Sequence, residues 1–81
     1  MEQTPGQIKQ AYNRLADTKQ NMVASLMADY RLTLYRIERS FEDHEARQFW
    51  NDELATIHNQ ICELLGLDSR FNYRSNLLEA L

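Results

Sequence analysis

Apolar residues recur at steps of three and four along the first half of the chain: Ile8, Ala11, Leu15, Met22, Leu26, Tyr30, Leu34, Ile37 and Phe41. That spacing lays a single stripe along one side of a helix and predicts a first helix over residues 5–41. Its start is marked by Thr4-Pro5-Gly6-Gln7, in which Thr4 caps, Pro5 takes the first helical position and Gln7 completes a capping box. The stripe misses a member at Thr18. A bend near 17–18, with Asp17 or Thr18 capping a fresh helix, is therefore the alternative to an unbroken rod. A second stripe, Ala46, Trp50, Leu54, Ile57, Ile61, Leu64 and Leu65, stops at Gly66 and predicts a helix over 44–65. Between Phe41 and Ala46 the step is five residues, which turns the stripe by about 140° and would point the two apolar faces apart in a continuous rod. A tight turn there, with Asp43 as cap, instead folds the two helices into an antiparallel hairpin. Leu67 to Phe71 reads as a further turn, and a short C-terminal helix over 70–80 presents Phe71, Leu77, Leu78 and Leu81.

Length then constrains assembly. A helix over 5–41 is roughly 55 Å long and one over 44–65 roughly 33 Å, so the second cannot cover the first. Two helices also enclose no core by themselves. The expected fold is all-α: a long antiparallel helical hairpin plus a short C-terminal helix, a single domain over 1–81 completing a helical bundle as a homodimer. A three-helix monomer closed by residues 70–81 is the second solution.

Composition narrows the class without naming a reaction. Two glycines and one proline in 81 residues are too few for a turn-rich β or alternating α/β fold. No apolar run reaches the 18 residues of a membrane span, and Met1 to Gly6 lacks the basic flank and apolar stretch of a secretion signal. The lone Cys62 fits a reducing setting, so a cytoplasmic location is expected. Residues 1–39 carry six basic and four acidic side chains, residues 40–81 three and eight. Opposite charge along the two arms favours their pairing.

Three chemical constellations compete with purely structural readings of the same residues. His58 and Cys62 stand one helical turn apart, but two ligands do not hold a metal, and no third ligand follows at a recognised spacing. Neither metal nor other cofactor is expected, and Cys62 reads as core. Arg39-Ser40-Phe41-Glu42-Asp43-His44 resembles the arginine, four residues, histidine motif of HEPN-type ribonucleases. The resemblance implies two such motifs meeting in a dimer, while a charged inter-helix turn accounts for the same residues more simply. Lys9, Arg14, Lys19, Arg31, Arg36 and Arg39 could track phosphates, making a nucleic-acid-binding regulator the alternative function, but Asp17, Asp29 and Glu38 interrupt the stripe. With no catalytic residues assigned, the chain is expected not to be an enzyme.

Aromatic residues and methionines carry more information. Tyr12, Tyr30, Tyr35, Phe41, Phe49, Trp50, Phe71 and Tyr73, with Met22 and Met27, exceed what one hairpin seam hides. Such side chains are enriched where proteins bind one another. Phe49 and Trp50 are adjacent and point about 100° apart, so burying both takes a third element or another chain. The stretch Gln48-Phe49-Trp50-Asn51-Asp52-Glu53, followed by Ile57 and Ile61, resembles the small co-chaperones of type III secretion needle subunits, although no binding residue carries over. The expected function is a small non-enzymatic protein–protein interaction module, an adaptor, chaperone or inhibitor of another protein, with Met27, Tyr35, Phe49 and Trp50 as contacts.

Overall fold

A computed structural model describes residues 2–81, and among them the secondary structure is four helices without strands. Helix α1 spans Pro5–Arg14, α2 Asp17–Arg39, α3 His44–Leu65 and α4 Arg74–Ala80. The long α2–α3 hairpin forms one layer, and α1 and α4, packed chiefly on each other, lie against one of its faces. The particle measures 41 × 27 × 18 Å.

The helix ends follow from local chemistry. The Thr4 hydroxyl accepts from the Gln7 N–H at 3.2 Å while the Gln7 side chain accepts from the Thr4 N–H at 2.9 Å, so the capping box forms in both directions. Asp43 caps α3 by accepting from the Ala46 N–H at 3.1 Å. At the other end of α3, Gly66 takes a left-handed φ of 70° and Leu67 donates back to the Cys62 carbonyl at 2.8 Å. This closure satisfies carbonyls that the helix leaves open.

The continuous helix over 5–41 is corrected to the bent alternative, with the bend two residues before 17–18. The chain breaks at Leu15 and Ala16, both extended, with ψ of 149° and 154°. Neither Asp17 nor Thr18 caps the new helix; Ala16 occupies that position and makes no side-chain bond. The junction is held from farther on, where the Gln20 amide donates to the carbonyls of Tyr12 at 3.0 Å and Asn13 at 3.4 Å at the end of α1, the first of which also accepts the Leu15 N–H. The break also resets the helical phase. Val23, Met27, Tyr30 and Thr33 face inward on α2, whereas Met22 and Phe41, placed in the apolar stripe by spacing, are 49% and 66% exposed. Thr33 tolerates burial because its hydroxyl donates to the Asp29 carbonyl at 2.8 Å.

Bend and C-terminal segment together solve the length mismatch within one chain. Helix α4 has seven residues, too few to stand alone. Tyr73 and Leu77, both fully buried, meet the core that Ile8 enters from α1. The Gln3 N–H donates to the Tyr73 hydroxyl at 3.2 Å, and Asn76 donates to the Gln3 carbonyl at 2.9 Å, tying the segment before α1 to α4.

Candidate functional site

The layer formed by α1 and α4 covers only part of the hairpin. The hollows between this layer, its connecting loop and the hairpin reach Arg31 on α2 and Asn51 on α3. Beyond them the hairpin continues for about 12 Å of α2 before its turn. This overhanging end carries Tyr35, Phe41 and Phe49, which are 53%, 66% and 57% exposed. Trp50 is partly buried, packed edge-on against Phe49 with ring centroids 4.8 Å apart, and the Arg36 guanidinium sits 4.6 Å above its ring. Arg39 lies 5.4 Å from the ring of Tyr35. Each cation shields an aromatic face that no helix covers, an arrangement favourable at a surface and adaptable to a partner.

A second uncovered region runs along the hairpin face opposite α1 and α4. Two shallow hollows join there. One, of about 490 Å³, is lined by Met22, Ser25, Leu26, Gln60, Glu63 and Leu64. The other, of about 330 Å³, runs from Leu26 and Gln60 past Asp29, Leu32, Thr33, Glu53 and Ile57 to Arg36 and Trp50. The antiparallel register thus sets Met22 beside Leu64, Leu26 beside Gln60 and Arg36 beside Trp50.

The residues expected from sequence separate accordingly. Met27 is 2% exposed in the core and presents no area to a partner, a correction that follows from the reset phase of α2. Phe49 and Trp50 are brought together, while Tyr35 belongs to the same end of the hairpin without ring contact to them. Phe41 was assigned to the core stripe and is instead the most exposed of these rings. The missed face along Met22, Leu26 and Leu64 leaves a trace in the sequence. In α2, Met22 and Leu26 run one residue ahead of Val23 and Met27, so the apolar arc is wider than one neighbouring helix covers.

His58 and Cys62 have a structural role. The His58 Nε2 accepts the Tyr73 N–H at 3.1 Å, fixing the loop that leads into α4, and its ring lies between Tyr30 and Tyr73 with centroids 6.3 Å from each. With Nε2 used as acceptor, the neutral ring carries its proton on Nδ1, 3.8 Å from the Cys62 sulfur. Burial, assisted by the charge of Asp68, pushes the Cys62 thiol up to about 11. Among the described residues no three His, Cys, Asp or Glu side chains gather as a metal would require.

A polar hollow of about 300 Å³ beside His58 is lined by Tyr30, Asn51, Asn59, Ser69, Arg70 and Arg74 among others. Arg70 is engaged there, forming a fork on Asp68 with bonds of 2.7 to 3.1 Å that holds that carboxylate down at about 2. Burial raises the Tyr30 hydroxyl above its ordinary range, against the pull of Arg74.

The remaining expectations are dispersed by the fold. Arg39 ends α2 and His44 begins α3, both exposed across the turn. The six basic residues of the predicted first helix divide between α1 and α2. Lys9 lies 5.4 Å from the Tyr12 ring, while Arg36 and Arg39 lie over the rings of Trp50 and Tyr35. Among the described residues no helix is long and apolar enough to cross a membrane. Comparison of the chain with protein-family models, with curated proteins and with solved structures finds no match in any of the three.

Proposed function

We propose that this chain is a non-enzymatic protein-binding module, working as a homodimer, that docks the turn end of its α2–α3 hairpin on another protein as an adaptor, chaperone or inhibitor. The observation that carries the reading is the exposure of Tyr35, Phe41 and Phe49, each more than half open, on the part of the hairpin that α1 and α4 leave bare. Aromatic rings flanked by Arg36 and Arg39 have the composition of a binding hot spot, where a few large side chains dominate affinity. Tyr35 and Phe49 are held on the helices near the turn and Phe41 on the tight turn that joins them, so little order is lost on docking. Of the four contacts expected from sequence, Tyr35, Phe49 and Trp50 belong to this surface, and Phe41 joins them.

The test is comparative capture. The chain and its Phe41→Ser/Phe49→Ser double variant are immobilised side by side and exposed to extract of the source cells, and retained proteins are identified by mass spectrometry. A third arm carries Trp50→Ala. The reading expects a protein retained by the parent chain and lost from the variants, with helicity unchanged in all three. Identical retained sets, or none, would refute it.

A further inference from the structure

The face of the hairpin along Met22, Leu26, Ile57 and Leu64 runs away from the turn end, which it meets at Arg36 and Trp50, and its own charges select what covers it. The geometry points to a second copy of this chain, laid face to face with α2 of each copy on α3 of the other and both turns at the same end. The inference rests on the reading of the module as a homodimer and names the surface and pairing that make it one.

Two-fold symmetry allows two ways of stacking the hairpins, because the axis lies in the interface and runs either across the helices or along them. An axis across the helices stacks α2 on α2 and α3 on α3. It would pass near Asp29, midway between Met22 and Arg36, and set that carboxylate against its own copy. It would also lay α3, with one basic and four acidic residues, on an identical acidic helix. An axis along the helices places α2, with four basic and three acidic residues, on the acidic α3 of the other copy. From the observed register, Arg36 then comes within a turn of Glu53 of the second copy, and Glu63 about one turn from Lys19 of the second copy. Met22 and Leu64 meet across the same seam. Like charges disfavour the first arrangement and opposite charges favour the second.

The size is adequate. A hairpin face as long as α2, about 34 Å, and two helices wide, about 20 Å, projects roughly 680 Å² per copy. Accessible area follows the side-chain relief and exceeds the projection, reaching the roughly 800 Å² per partner of an ordinary stable interface. The product is a four-helix bundle in which every neighbouring pair is antiparallel, with α1 and α4 on its outer faces and two aromatic turn ends side by side.

The test uses charge reversal between chains. Arg36 and Glu53 are both exposed, so Arg36→Glu and Glu53→Arg leave the core intact, which far-UV circular dichroism checks. Molar mass is measured by sedimentation velocity across micromolar to millimolar concentration. The parent chain is expected to dimerise. Each variant alone is expected to associate at least roughly tenfold more weakly, since symmetry repeats the repulsion twice. An equimolar mixture of the two variants is expected to recover dimer, because every contact in the mixed pair again joins opposite charges, whereas a defect within either chain gains nothing from mixing. A dimer indifferent to both reversals, or variants that mixing does not rescue, would overturn this pairing and leave homodimerisation standing. A monomer at every concentration would overturn both, while the turn-end reading keeps its own capture assay.

Discussion

Replacing Leu77 by alanine tests whether α1 and α4 form a layer that stands or falls together. Leu77 is fully buried at the centre of a seven-residue helix. Leucine-to-alanine changes at such sites cost about 2–5 kcal/mol through lost burial and the cavity left behind. A helix of this length has no stability of its own, and α1, with ten residues, is also short of the roughly 12–15 that mark even marginal isolated helices. The loss therefore falls first on the docking of α4 and, through Tyr73, Asn76 and Gln3, on α1. If α4 undocks, α1 and α4 together account for 17 of 62 helical residues, about a quarter of the ellipticity at 222 nm. Hydrogen exchange read by mass spectrometry resolves the location. Amides of α1 and α4 are expected to exchange at least roughly thirtyfold faster, the equivalent of about 2 kcal/mol, while those at the centre of α3 change less. Equal loss of protection across all four helices, or an α1 indifferent to the change, would refute the layered account.

Three further outcomes follow from single contacts. Gln20→Ala removes the amide that holds two carbonyls at the end of α1, and should cost about 1 kcal/mol and lower the melting temperature by about 4–8 °C; an unchanged melting curve would count against the Gln20 stitch. Gly66→Ala meets no atom within 4 Å of the added carbon, so its cost, about 1 kcal/mol in a urea titration, comes from the left-handed backbone alone. Cys62 should resist alkylation in the folded chain until the chain opens. Because its thiol loses a proton only near pH 11 when folded and near about 8.5 when unfolded, the unfolded form binds fewer protons in between, and stability should fall as pH rises through that window. Cys62→Ala should flatten that slope; a slope that persists would assign it elsewhere.

Much of the fold was legible because local chemistry decides it. Thr4 with Gln7, Asp43, and Gly66 each fix a helix end through bonds within a few residues, and α3 lies where its stripe and caps place it. The break at Leu15 and Ala16 was half legible: the gap in the stripe at Thr18 points to a bend nearby but not to its position or its cause. No glycine, proline or side-chain cap marks it, and the Gln20 contact that steadies it becomes visible only once both helices are in place. A stripe drawn through an unbroken rod shifts the phase, which is why that reading turns Met22 inward and Met27 outward. The binding surface was half legible: adjacent Phe49 and Trp50 signal a face too wide to bury, but the exposure of Phe41 depends on how far α1 and α4 reach. His58 as an internal acceptor for the Tyr73 N–H gives no local signal at all, since the partners are fifteen residues apart.

Trp50 offers the most direct measure of the central claim, that another polypeptide covers the open side of the hairpin. It is the sole tryptophan, sits partly exposed where the open face meets the turn end, and reports its own solvation. Fluorescence is followed with a soluble quencher from nanomolar to submillimolar chain. The account predicts a blue shift of the emission and declining quencher access over the same concentration range in which the molar mass doubles. Emission and quenching that stay constant across that range would contradict it.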